Sequence, residues 1–215
     1  MNLSPAAMAG LFFTALFLLG IRFMNSPKTA VRGNIIGACA MLGAIVSTLM
    51  FSGVLGRAEL LGALAAGGAL GYWLAIRATM IKMPQIVALL NGFGGLASAV
   101  TAIVILTSGS PGKPESFTAA LALAVGAVTF SGSMVAAAKL DHRMSQMPVV
   151  FPGYSVVTGF AAVSCAVLAC LMPFLSGGSG IAVAILLLAV SLGYGYVFAA
   201  RIGGADMPIT ISMLN

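Results

Sequence analysis

The chain has 215 residues, of which 60% are hydrophobic and only 7% are charged, with a formal net charge of +6. Soluble domains carry roughly 25% charged residues, so this composition excludes a water-soluble surface and indicates a membrane protein. The excess of positive charge does not indicate nucleic-acid binding. The basic residues are spread over loops between apolar segments and do not form one patch.

Long uncharged runs predict the transmembrane helices, because a helix needs about 20 apolar residues to cross the bilayer core. Five runs fit one crossing each, and the sixth is long enough for two, with Pro173 and the Ser-Gly stretch at 176–180 as the break. The runs are residues 1–21, 33–56, 60–76, 83–112, 116–138 and 144–200. Residues 207–215 begin a further helix. The predicted fold is all-α: one transmembrane domain over 1–215, with about seven complete helices and the start of an eighth.

The loops predict the orientation of these helices. Eight of the ten Lys and Arg residues lie after helices 1, 3, 5 and 7, which places these loops on the cytoplasmic side by the positive-inside rule. The N-terminus is then periplasmic, and helices 2, 4, 6 and 8 run outward. The eight are Arg22, Lys28, Arg32, Arg77, Lys82, Lys139, Arg143 and Arg201, against Arg57 and Lys113 on the opposite side.

Two helix starts repeat one motif: MPQIVALLN from Met83 to Asn91 and MPITISMLN from Met207 to Asn215. Each has Pro in the first turn, where its missing N–H costs nothing. Each places Asn seven residues after that Pro, which is about 10 Å or two turns along the helix. Both Asn side chains are therefore expected at the same depth, pointing into the helix bundle.

Two interpretations of this Asn pair remain open. An amide in hydrocarbon needs a partner, so each Asn can simply hydrogen-bond a neighbouring helix. Alternatively, paired amides line a polar pathway for water, protons or a solute, which the matched depth favours. Thr129, Ser131 and Ser133 add polarity to helix 5 but rank lower, because such hydroxyls often bond their own backbone.

Other features add less. The pair Met147-Pro148 is expected to open helix 6, without a following Asn. No predicted span contains an ionisable side chain, so a titrating group for proton movement would come from another chain or from ordered water. The cysteine spacing matches no metal site. Glycines are expected to allow close packing of helices 3 and 4: Gly62, Gly67, Gly68, Gly71, Gly92, Gly94 and Gly95.

Three stretches carry a resemblance to a known family. They are KMPQIVALLNGFGG (82–95), VTFSGSMVAAAKL (128–140) and IGGADMPITISMLN (202–215). In order and spacing, over essentially the whole chain, they resemble the membrane part of the beta subunit of proton-translocating NAD(P) transhydrogenase. The resemblance implies hydride transfer from NADH to NADP+, coupled to inward proton movement across the bacterial inner membrane. It also implies an alpha subunit as partner and a dimer of such units in the lipid bilayer.

The resemblance assigns roles to three residues and no catalytic residue to this chain. Asn91 and Asn215 match the proton-channel positions of the family. Asp206 matches an acidic residue at the cytoplasmic mouth, and Arg201 is expected to act with it at the coupling interface. The two flank Gly203-Gly204, where the chain is expected to bend.

The chain departs from the family in two ways. Many bacterial members have His where this chain has Asn91, and members with Asn resemble a group in which an alpha-side helix supplies the histidine. Members also continue past Asn215 into an NADP(H)-binding domain. Helix 8 reaches only about 13 Å into a bilayer core of about 30 Å. We therefore expect a fragment that binds no NADP(H) or NAD(H) and is inactive in hydride transfer by itself.

Two other functions fit parts of the sequence. A secondary transporter with a substrate site between broken membrane helices would also use the repeated Met-Pro-to-Asn motif. A membrane scaffold without a transport role is the third possibility.

Overall fold

The computed structural model describes residues 4–54, 56–108 and 111–214, and within these ranges every regular element is helical. Seven of the described helices are long and apolar enough to cross a membrane. The predicted all-α fold is confirmed, with seven helices of spanning length and a short eighth. The α-helices are α1 (Pro5–Met24), α2 (Ala30–Phe51), α3 (Ala58–Arg77), α4 (Met83–Thr107), α5 (Lys113–Leu140), α6 (Tyr154–Leu171), α7 (Gly177–Ala200) and α8 (Met207–Leu214).

The chain divides into two compact units, Met1–Ile76 and Arg77–Asn215. In the first unit, α1 and α2 pack closely through glycines. A Cβ atom on Gly33 would lie 2.6 Å from the carbonyl oxygen of Gly20, so only glycine permits this approach of the two backbones. In the described part of the chain, α3 has no buried residue, and a Cβ atom added to any of its four glycines would meet no atom within 4 Å.

The second unit is built around α5, which packs against α4, α6, α7 and α8. Half of its residues are buried, and most of them are Ala, Gly, Ser or Thr, whose small side chains let neighbouring helices approach. One apolar cluster joins α4, α5, α6 and α7 around Leu123 and Leu187. A second joins α4, α5 and α8 around Ala88, Ala136 and Met207. Helix α5 extends beyond the uncharged run at 116–138 at both ends. Lys113 lies in its first turn and Lys139 in its last turn.

The start of helix 6 differs from the prediction. Met147-Pro148 does not open the helix, which begins at Tyr154 after a non-helical segment at 141–153. The residues before Pro148 and Pro152 are disfavoured in a helix, and Gly153 has a φ of +80°. The segment is instead ordered by the end of α7, since the N–H of Val149 donates to the carbonyl oxygen of Ala200 at 3.1 Å.

Candidate functional site

Asn91 lies two turns into α4 and faces α5. Its Nδ2 donates a hydrogen bond of 3.1 Å to Oγ of Ser133. Ser133 is fully buried, whereas Asn91 is half-buried. The amide therefore has a hydrogen-bond partner in the neighbouring helix, as a polar group in hydrocarbon requires. Asn215, the predicted counterpart of Asn91, lies outside the described residues.

Glycines bring α4 close enough to α5 for this bond. A Cβ atom on Gly95 would lie 2.7 Å from the carbonyl oxygen of Gly126 and 2.9 Å from the backbone nitrogen of Phe130. A Cβ atom on Gly126 would in turn lie 2.8 Å from the backbone nitrogen of Ala99. Gly92 also packs against α5, with side chains of that helix as its neighbours. The expected role of the helix-4 glycines in close packing is confirmed for Gly92 and Gly95.

Thr129 makes the corresponding contact from α5 to α8. Its Oγ1 donates 3.0 Å to the carbonyl oxygen of Leu214. Because Thr129 and Ser133 are four residues apart, they lie on one face of α5, one turn from each other. The sequence ranks both hydroxyls below the Asn pair, although they are the groups that join α5 to the two repeated helices. Their spacing is the signal that could have identified them. Ser131, between them, bonds its own helix at the carbonyl oxygen of Ala127.

A cleft of about 660 Å³ separates the two Met-Pro helix starts. Its walls are mainly apolar, with the Asn91 amide and Ser212 as polar side chains. The cleft is lined by Met83, Pro84, Val87, Leu90, Asn91 and Gly94 from α4 and by Pro208, Ile211 and Ser212 from α8. An amide and a hydroxyl both donate and accept hydrogen bonds, but neither carries a titratable proton near neutral pH. These residues can orient water or a partner's polar group.

The two residues predicted at the coupling interface lie near each other in sequence but do not pair. Arg201 follows the end of α7, and its guanidinium lies 4.3 Å from the centre of the Tyr154 ring. Asp206 ends a short 3-10 turn before α8 and is exposed. An ion pair joins Arg143 to Asp141.

The role expected of Gly203-Gly204 needs a correction. Neither glycine has a positive φ, so the turn does not depend on their conformational freedom. Gly204 is buried, and a Cβ atom there would lie 3.0 Å from the side chain of Gln146. The absence of a side chain at Gly204 therefore lets the 141–153 segment pack closely against this turn.

Lys139 is the main residue that the sequence misplaces. The charge pattern puts it in a cytoplasmic loop, but it lies in the last turn of α5 with 1% of its surface exposed. The predicted span 116–138 itself contains no ionisable side chain, but the helix continues past it and buries Lys139 in its last turn. The prediction treats this charge as a loop residue because it takes every charge as lying beyond the end of a helix. Among the described residues, no three His, Cys, Asp or Glu side chains are grouped to hold a metal ion.

Comparison with known proteins gives one consistent result. A sequence profile described as NAD(P) transhydrogenase beta subunit matches residues 6–215. The chain is 36% identical over 210 residues to the NAD(P) transhydrogenase subunit beta of Rhodospirillum rubrum, and a second R. rubrum sequence of that name matches equally. The matched region covers 93% of this chain but 44% of the relative, so the chain spans less than half the length of the curated relatives it matches.

Proposed function

The chain belongs to the NAD(P) transhydrogenase beta subunit family, and we propose that it forms the proton-conducting membrane part of a proton-translocating NAD(P) transhydrogenase. The complete enzyme would couple inward proton movement to hydride transfer from NADH to NADP+. The observation that carries this proposal is the hydrogen bond between Asn91 and Ser133 beside the cleft between α4 and α8. Family membership does not favour the alternative of a secondary transporter.

The proton path would use this site in a specific way. Asn91 and Ser133 each donate and accept hydrogen bonds, so they can hold a chain of water molecules in a fixed orientation. They cannot themselves store the proton, so a titratable side chain must be added. The cleft is large enough for several side chains and waters, at about 30 Å³ for each water. A helix of the alpha subunit that lies in this cleft would supply the titrating group, with Asn215 as the second amide of the path.

The coupling interface would lie at the end of the bundle where α7 stops and α8 begins. The exposed Asp206 carboxylate and the Arg201 guanidinium are the charged groups at this turn, on the side predicted to be cytoplasmic. We propose that the nucleotide-binding parts of the enzyme contact the bundle here, in a bacterial inner membrane with the N-terminus periplasmic. The working assembly would pair this subunit with an alpha subunit and with a second copy of the whole unit.

Residues 1–215 alone would not transfer hydride. Among the described elements, seven helices are long and apolar enough to span a membrane. The others are the short α8 and short 3-10 turns. The longest connection between α-helices in the described ranges is 141–153, far below the roughly 100 residues of a typical domain. NADP(H) and NAD(H) would bind to other parts of the complete enzyme.

Substitution of Asn91 tests the proposed function. The complete beta subunit, assembled with its alpha subunit, is reconstituted into liposomes that contain a pH-sensitive dye. Asn91→Leu keeps the branched shape and the number of heavy atoms of the side chain but cannot hydrogen-bond to Ser133 or to water. We expect proton movement and the coupled hydride-transfer rate to fall by at least about tenfold.

Asn34→Leu is the matched control, because Asn34 is an exposed amide on α2 and receives the same substitution. It should leave both rates near the wild-type values. A correctly assembled Asn91→Leu enzyme with wild-type proton movement would contradict the proposal.

A further inference from the structure

The ammonium group of Lys139 binds the end of α7. Its Nζ donates to the carbonyl oxygens of Ala200 at 2.6 Å, Ile202 at 2.8 Å and Met147 at 3.4 Å. A lysine has three N–H donors, so all of them are used. In the described part of the chain, no carboxylate forms an ion pair with this ammonium. The negative end of the α7 dipole and its free carbonyl groups take the place of a counter-charge.

The loop after α5 reinforces the same turn. The N–H of Gly204 donates to the carbonyl oxygen of Gln146 at 3.0 Å, and the N–H of Val149 donates to that of Ala200 at 3.1 Å. The Gln146 side chain returns to the backbone of Lys139, with Nε2 at 3.4 Å from its carbonyl oxygen. One hydrogen-bonded network therefore links Lys139, the 141–153 segment and the turn after α7.

The turn determines where α8 begins. Met207, the first residue of α8, is fully buried and belongs to one apolar cluster with Ala88 of α4 and Ala137 of α5. Ala88 lies about one turn before Asn91, and Ile211 of α8 belongs both to this cluster and to the wall of the cleft. A shift of the turn at 201–206 would therefore change the width of the cleft beside Asn91.

We propose that Lys139 is a positioning residue for coupling: its buried ammonium fastens the turn at 201–206 to α5 and so fixes the start of α8 beside Asn91. The turn also contains Asp206. If a nucleotide-binding domain pushes on Asp206, the fastened turn at 201–206 would pass that movement on to α8. The coupling role rests on the proposed function, whereas the holding of the turn rests on the contacts alone.

A purely structural lysine would behave differently. It would contribute stability, and its loss would lower the amount of folded enzyme without changing the number of protons moved per hydride. If the lysine is a positioning residue, its loss lowers the number of protons moved per hydride. The loosened turn then lets hydride transfer proceed without movement of α8. The ratio therefore separates the two roles.

The test uses the complete enzyme with Lys139→Met, which keeps the length of the side chain and removes its donors and charge. Two quantities are measured: protons moved per hydride transferred in liposomes, and hydrogen exchange of the backbone amides of Val149 and Gly204. We expect the ratio to fall at least about threefold, and both amides to exchange at least about tenfold faster, because the local network opens more often.

Arg143→Met is the matched control. It removes one positive charge from the same end of α5, but this side chain is 80% exposed and pairs with Asp141 at the surface. Such pairs contribute little, so both quantities should stay within about twofold of wild type. Lys139→Arg keeps a cation with several N–H donors and should retain at least about half of the wild-type ratio.

Two results would overturn the inference: wild-type exchange at both amides in Lys139→Met, or faster exchange with an unchanged ratio. If that variant does not accumulate, Lys139→Gln replaces it, with the same two outcomes. A wild-type enzyme that moves no protons would instead refute the proposed function and the coupling role with it. Amide exchange would then still decide whether Lys139 holds the turn.

Discussion

Two polar contacts on α5 are built in opposite ways. About two turns before the end of the helix, Ser133 accepts a single hydrogen bond from the neutral amide of Asn91, next to a cleft of about 660 Å³. At the end of the helix, the charged Lys139 donates to three backbone carbonyl groups and is almost fully buried. The first contact leaves the Asn91 amide with unused hydrogen-bonding capacity, and the second uses every donor of the lysine.

This difference indicates which contact can change during a reaction cycle. Hydrogen bonds between membrane helices contribute about 0.6 kcal/mol on average, so Asn91 can exchange Ser133 for water or for a partner's side chain at little cost. Separating a buried cation from its partners costs several kcal/mol. We infer that the contact at Ser133 is suited to moving a proton, and the contact at Lys139 to keeping helices in place.

The largest effect is expected when the approach of α4 to α5 is blocked. Gly95→Ala places a methyl group where the backbone of Gly126 lies 2.7 Å away, and backbone atoms cannot yield as a side chain can. Overpacking of this kind costs about 1–3 kcal/mol, so the melting temperature of the purified protein should fall by several degrees. The Asn91 bond should be lost with it.

Gly94→Ala is the control one residue away, where the added methyl group meets no atom of the described residues within 4 Å. It should leave the melting temperature unchanged or slightly higher, because alanine favours a helix over glycine. Equal melting temperatures for the two variants would show that the glycine contact does not hold α4 against α5.

The fold is largely predictable from the sequence because hydrocarbon thickness fixes the length of a span, and charges mark the ends of most spans. Glycine patterns are less informative. The glycines of α3 and α4 look alike in sequence, yet Gly95 is packed against α5, whereas a Cβ atom added to Gly67 would meet no atom of another described element within 4 Å. Only the arrangement of the helices distinguishes the two. The start of helix 6 is missed because its preceding segment is ordered by Ala200, about fifty residues away.

The site is predictable in part. The half-buried position of Asn91 and its bond to another helix follow from the cost of an unpaired amide in hydrocarbon. The identity of its partner, Ser133, requires knowledge of which helices are neighbours. Lys139 is misplaced for the same reason, since the carbonyl groups that allow its burial belong to the end of α7 and the turn after it. The sequence does not indicate these long-range partners.

An intermediate effect is expected when the hydrogen-bond acceptor of the Asn91 amide is removed. Ser133→Ala leaves the Asn91 amide in place without its partner on α5, so water must replace the hydroxyl. The coupled hydride-transfer rate of the complete enzyme should fall by about threefold to tenfold, less than for Asn91→Leu. Ser131→Ala, two residues away, removes a hydroxyl that bonds its own helix and should change the rate by less than about twofold. Equal rates for the two variants would assign Ser133 a packing role only.

The smallest effect is expected at Thr129, whose hydrogen bond joins α5 to α8. Thr129→Val keeps the shape of the side chain and removes the hydrogen bond to the carbonyl oxygen of Leu214. The folded protein should lose about 0.6 kcal/mol, the average for such a bond between membrane helices, and the coupled rate should change by less than about twofold. Thr101→Val is the control, because its hydroxyl bonds Ala97 within α4 and is exposed. A thermal melt and a coupled-rate assay on both variants measure the two quantities. A loss of coupling at Thr129 as large as that of Ser133→Ala would place Thr129 in the proton path and extend the functional face of α5 by one turn.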